Sequence, residues 1–178
     1  DAPREVILDK YHATQPATTL YHRKRPHIDE ESYSTPSARM RGIMLHRIFE
    51  KAADINSVYR AIDGLERDCI IDLNDANILK QQIELMLDNP IVHEWFTHKW
   101  SDVNNESWIL DGKALHRPDR VMIDGGRVVV VDYKFGEHKS SAYTRKVKEY
   151  MTLLGDMGLY SRIEGYVWYG ALGEVDKV

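Results

Sequence analysis

A single cysteine, Cys69, stands in 178 residues. One thiol can form neither an intrachain disulfide nor an all-cysteine metal cluster, so a reducing compartment, the cytoplasm, is expected. Long apolar runs are missing as well. No stretch approaches the roughly 20 residues needed to span a bilayer, and Asp1 to Lys10 is too polar for the apolar core of a signal peptide. Positive charge is not in excess either. A net charge of −4 excludes tight nucleic-acid binding by bulk electrostatics and confines any such grip to a local patch or a partner. No Walker A loop occurs, which excludes nucleotide hydrolysis by that device.

What is present is the balance of a soluble globular domain: 43% hydrophobic and 29% charged residues, enough apolar material for one real core. Residues 1–36 hold four of the six prolines and a basic cluster, His22-Arg23-Lys24-Arg25-Pro26-His27. No period persists there, so the segment is expected to be irregular, its basic cluster a solvated loop or else a phosphate contact. The chain opens without Met and stops at Glu174–Val178, within what reads as an extending strand or loop. It is read as a piece of a longer protein, with residues 37–178 a single domain.

Helical spacing starts after Ser37, a reasonable cap, with Met40, Ile43, Met44, Ile48 and Ala52. Further helices are expected over Ile55–Asp68 and Asn74–Asp88, the latter stopped by Asn89-Pro90, with a short turn over Ile91–Phe96. The texture then changes to strands: Glu106–Leu110, Lys113–Ile123 and, after Asp124-Gly125-Gly126, Arg127–Phe135 with four consecutive valines. A run apolar on both faces marks a central strand. An amphipathic helix over Ser141–Gly155 leads to a strand over Arg162–Tyr169. The fold class is therefore α/β: a three-strand antiparallel meander, a crossover helix and a further strand parallel to the valine strand, with an N-terminal helical layer.

If Gly125 and Gly126 are the central residues of the hairpin, Asp119 falls directly opposite Asp132, and Lys134 projects on the same face. Like charges at that separation are destabilising unless one is protonated or a cation is shared. Oxygen ligands so placed suit Mg²⁺ or Mn²⁺, and Lys134 would orient a water or face a phosphate. The blander reading pairs Asp119 with Arg117 or Arg120 and makes Asp132–Lys134 a surface ion pair; charges ending a buried strand favour the functional one. His138, Lys139, Arg145, Lys146 and Lys148 form an acid-free stretch, either a track for a DNA backbone or a solvated helix face.

At these residues the chain resembles the PD-(D/E)XK nuclease superfamily, in particular the RecB-like nuclease domains of RecBCD- and AddAB-type helicase–nucleases. Gly42, His46 and Glu50 are similar to the family's helical G-x-x-x-H-x-x-x-E motif, Pro118-Asp119-Arg120-Val121 to its D-R-V strand, and Asp132-Tyr133-Lys134-Phe135-Gly136 to its D-Y-K-T-G strand. The resemblance implies a restriction-endonuclease-like sheet. It also implies a Mg²⁺-dependent deoxyribonuclease, exonucleolytic, fed single-stranded DNA ends by a helicase of the same chain or complex, in DNA repair or recombination, leaving 5′-phosphates. Its metal would be held by His46, Asp119, Asp132 and the Tyr133 carbonyl, with Asp119, Asp132 and Lys134 catalytic. Glu106 matches an additional acidic position of such domains, and Glu50, one turn beyond His46, is a candidate partner for it.

Two departures stand out. The family's Q-x-x-x-Y pattern keeps its Tyr at Tyr150 but has Lys146 in place of Gln. The cysteines that hold an iron–sulfur cluster in some relatives are lacking, so no cluster is expected. Two other readings stay open: a non-catalytic DNA-binding or subunit-interface module of the same fold, and a metal phosphohydrolase of small substrates, which lacks the glycine-rich phosphate loop it would want.

Overall fold

The structure, a computed structural model, describes residues 36–111 and 114–178. The irregular segment expected over residues 1–36, with its basic cluster, lies outside the described residues except for Pro36.

Four helices come first, close to their expected bounds. α1 (Pro36–Glu50) starts one residue ahead of Ser37, where the fixed φ of proline suits a first helical turn. α2 (Ile55–Arg67) opens on a capping box in which Asp54 and Ser57 satisfy one another's backbone N–H groups. Asp72 caps α3 (Leu73–Leu87), and Asn89 caps α4 (Pro90–Thr97). Each turns an apolar stripe inward: Val58, Ile62 and Leu65 from α2, Leu79 and Ile83 from α3, Trp95 and Phe96 from α4.

The strands follow as β1 (Asp102–Asn105), β2 (Ile109–Asp111), β3 (Ala114–His116), β4 (Arg120–Asp124) and β5 (Arg127–Lys134). After α5 (Ser141–Asp156) come β6 (Arg162–Tyr169) and β7 (Glu174–Lys177). Five of them form a mixed sheet in the order β1-β4-β5-β6-β7, and β2 with β3 makes a separate two-stranded hairpin. β6 runs parallel to β5 across the α5 crossover, as expected, while the other neighbours are antiparallel. The terminal strand β7 realises the extension anticipated at Glu174–Val178.

The meander needs one correction. The strands expected over Glu106–Leu110 and Lys113–Ile123 are not continuous members of the sheet. Glu106 adopts a positive φ of 54°, which turns the chain out of the sheet, and Pro118, with no N–H to donate, interrupts the ladder before β4 resumes at Arg120. The strand that pairs with β4 is β1, which ends just before Glu106.

β5 divides the interior. Val129, Val131, Tyr133 and Phe135 face the helical layer and pack with Phe49, Trp95, Phe96 and Trp168. Val128 and Val130 face α5 and pack with Val147, Tyr150 and Leu154. The alternation explains the valine run: both faces of a central strand are covered. α5 can lie this close because β6 has Gly165 beneath it. A Cβ there would stand 2.3 Å from Met151 Sδ and 2.7 Å from Val147 Cγ1.

Candidate functional site

Gly125, at φ +56°, turns the hairpin so that Asp124 pairs with Arg127 and Arg120 with Val131. Continued by one step, that register sets Asp119 opposite Asp132, as the glycine turn predicts. The β1–β4 register runs Asn105 to Arg120, so the next step sets Glu106 opposite Asp119, and Glu106 N–H donates to the Asp119 carbonyl at 3.0 Å. Three acidic residues thus lie in one row, Glu106 and Asp119 just beyond the ends of β1 and β4 and Asp132 within β5. Asp119 is the middle one and is held in place: its Oδ2 accepts the Tyr133 N–H at 2.5 Å.

Asp132 is fully buried, and neither of its oxygens meets a donor in good hydrogen-bonding geometry. Its neighbours are two ammonium groups, Lys134 Nζ 2.8 Å from Oδ2 and Lys146 Nζ 3.3 Å from Oδ1. Burial first, and then the charge of Asp119, push its carboxyl above the usual carboxylate range, against the pull of the two lysines. Lys134, 3% exposed, is opposed by burial, yet Asp132 and Asp119 outweigh it and hold the ammonium ionised. Its Nζ also donates to the Tyr133 carbonyl at 3.1 Å and lies 4.8 Å from the Tyr143 ring centre. Asp132–Lys134 is therefore a buried pair, not a surface one.

Glu106 is pushed up to about 7 by partial burial and by Asp119, with Arg117 pulling the other way. Arg117 forms an ion pair with Glu106, not with Asp119. Arg120 lies on the opposite face, where its guanidinium donates to the carbonyls of Ala52, Ala53 and Trp95. Both pairings open to Asp119 in the bland reading are thus taken elsewhere, and the buried role of Arg120 had no signal in the local pattern.

The remaining expected residues divide. Tyr150 is buried in the site wall, its hydroxyl donating to the Arg117 carbonyl at 3.2 Å, and burial raises its pKa. Lys146, one turn before it on α5, aims at Asp132; the shared helical face is the signal that could have found this. The Tyr133 ring enters the helical layer, leaving only its backbone groups to the site. His46 is on α1, edge-on to Phe135 with centroids 4.8 Å apart; Glu50 ends the same helix, half-buried. The expected basic stretch does not act as one surface. Lys139 sits between Glu174 and Asp176, 2.7 Å from each, Lys146 turns inward, and Arg145 and Lys148 face solvent.

Among the described residues no three His, Cys, Asp or Glu side chains converge as a metal centre, so His46 is not gathered with the aspartates into one. The donor chemistry nonetheless suits a hard divalent cation: a buried carboxylate, flanked by two ammonium groups, close to a second carboxylate. Among the same residues no helix is long and apolar enough to cross a membrane. No protein-family model matches the chain, and no curated protein matches it.

Proposed function

We propose that this domain is a divalent-metal-dependent deoxyribonuclease of the restriction-endonuclease-like kind, acting on DNA ends delivered by a helicase partner. The observation that carries the reading is the buried Asp132, opposite Asp119 and paired with Lys134 at the end of the central strand. A protein interior does not gather two carboxylates and a lysine at low cost, and perturbed titratable groups so clustered favour a functional site.

Mg²⁺ or Mn²⁺ would be held by Asp119 and Asp132, with the Tyr133 carbonyl and His46 as the further ligands the sequence resemblance implies. When bound, it lowers the pKa of a water and offsets charge on the phosphodiester. The chain's own groups divide the remaining work. Tyr133 N–H fixes the Asp119 carboxylate. Lys134, kept ionised by its neighbours, presents a fixed positive charge to a phosphate oxygen or orients a water. Glu106, titrating at about 7, is able to exchange a proton at neutral pH. Lys146 stands where a glutamine would be expected and offers a second ammonium to phosphate.

The test is direct. Labelled linear single- and double-stranded DNA is incubated with the domain in Mg²⁺, Mn²⁺ or EDTA, beside Asp119→Ala and Lys134→Ala. Cleavage that needs the metal and is lost in both variants is expected. Absence of cleavage with every metal, or its survival in both variants, sinks the reading. One feature favours the alternative of a non-catalytic module: Lys134 and Lys146 together neutralise Asp132 from within. A folded domain that binds DNA but never cuts it would establish that alternative.

A further inference from the structure

We infer that Trp108, backed by Arg117, forms a stacking subsite for an unpaired base of a single strand whose phosphodiester lies at the acidic row; this rests on the nuclease reading above. Trp108 follows the bend at Glu106, on the segment that leads into the β2–β3 hairpin. Its side chain is 55% exposed, and Leu115 on the same hairpin is 53% exposed. Scattered exposed apolar residues need no explanation, but this indole is not merely exposed. The Arg117 guanidinium lies 5.4 Å from its ring centre. Arg117 is in turn held at both ends, by the Glu106 carboxylate on its side chain and by the Tyr150 hydroxyl on its carbonyl.

A fixed cation behind an open aromatic surface is a platform for another planar π system. Stacking on it is indifferent to base identity, because every base offers a π face, and the guanidinium suits a neighbouring phosphate as well. Trp108 is two residues from Glu106, at most about 7 Å of extended chain, a reach comparable to one nucleotide. The hairpin therefore places base recognition beside phosphate chemistry. A protein partner meeting Trp108 and Leu115 is the competing occupant, disfavoured because the indole is backed by a cation and continuous with the acidic row.

Binding is measured in EDTA, which suppresses cleavage, by fluorescence anisotropy with two probes: a short labelled oligothymidylate, and the same backbone with every base replaced by an abasic spacer. The intact domain is expected to bind the base-bearing probe about tenfold more tightly, within what one base–aromatic stack supplies. Trp108→Ala should abolish that preference and leave abasic binding unchanged, while Trp108→Phe keeps most of it and remains informative if alanine disturbs the hairpin. An absent preference in the intact domain, a preference that survives Trp108→Ala, or equal weakening of both probes overturns the inference; the second leaves the platform to a protein partner. Cleavage assays on the same proteins separate the two readings. Cleavage without base preference removes the stacking subsite and keeps the nuclease, whereas base preference without cleavage does the reverse.

Discussion

Asp119 is bonded to the strand that carries its like-charged neighbour: its carboxylate accepts the Tyr133 N–H at 2.5 Å, and Tyr133 directly follows Asp132. The bond holds two acidic groups together despite their repulsion and adds to burial, the larger cause, in pushing the Asp132 carboxyl up.

Asp119→Asn keeps an acceptor for Tyr133 N–H but removes the charge. Thermal stability should hold or rise slightly, and the Asp132 pKa should fall part of the way only, because burial, its larger cause, remains. If the domain is a nuclease, metal-dependent cleavage should drop by about 10²–10³, the scale set by losing one preorganised electrostatic group. Steady-state cleavage and a melting curve, measured together, check both halves.

Lys134→Met leaves Asp132 buried beside Asp119 with Lys146 as the ammonium group that remains next to it among the described residues. Breaking one side of a buried pair typically costs about 3–5 kcal/mol, and a loss of that order in urea unfolding is expected. Adding Asp132→Asn to Lys134→Met should recover part of it, because the uncompensated charge is gone. A double variant no better than the single would show that the pair is not the source.

Glu106 and Asp132 both have folded pKa values above their unfolded ones, so the folded state binds more protons over that interval. By linkage, their contribution to stability is greatest in acid and is lost as pH rises, for Glu106 between its ordinary 4.5 and about 7. Glu106→Gln should flatten that part of the stability–pH curve. Mg²⁺ or Mn²⁺, which binds deprotonated carboxylates, should raise the melting temperature at pH 8 and much less at pH 5. Equal metal effects at both pH values would count against ligation by these acids.

Gly165→Ala puts a methyl carbon against Met151 and Val147 and must lift α5 from the sheet, at about 1–3 kcal/mol by the scale of overpacking. If the domain is a nuclease, cleavage should fall with it, since α5 carries Lys146 and Tyr150. Gly64, helical in α2 with nothing within 4 Å of a built Cβ, is the control: Gly64→Ala should stabilise by about 0.5–1 kcal/mol. Chemical denaturation of the two variants side by side separates crowding from backbone entropy.

Much of this arrangement could be read locally. Two glycines after Asp124 set a turn, the turn set a register, and the register brought Asp119 opposite Asp132. Helical stripes such as Val58–Ile62–Leu65 carried their own period, and four valines announced a strand covered on both sides. What stayed hidden depends on distant partners or on a backbone angle. Nothing near Lys139 foretells that Glu174 and Asp176 will hold it. The carbonyls that receive Arg120 come from two separate segments of the helical layer. Glu106 adopts positive φ without being glycine, so the departure of the chain from the sheet left no trace in composition.

That departure at Glu106 has an architectural consequence. β1 and β4 are paired below it, the Glu106 N–H bond to the Asp119 carbonyl closes its mouth, and Ile109 of β2 joins the core formed with Val128, Val130 and Val147, so the β2–β3 pair is anchored to the sheet as well as tethered to it. Its exposed positions, such as Trp108 and Leu115, can be exchanged without disturbing that anchor or the strands that carry Asp119 and Asp132. Specificity for what is bound and competence for what is done to it would then be separable within one polypeptide, and replacing those exposed side chains while keeping Ile109 and Arg117 would be a practical way to redirect the domain.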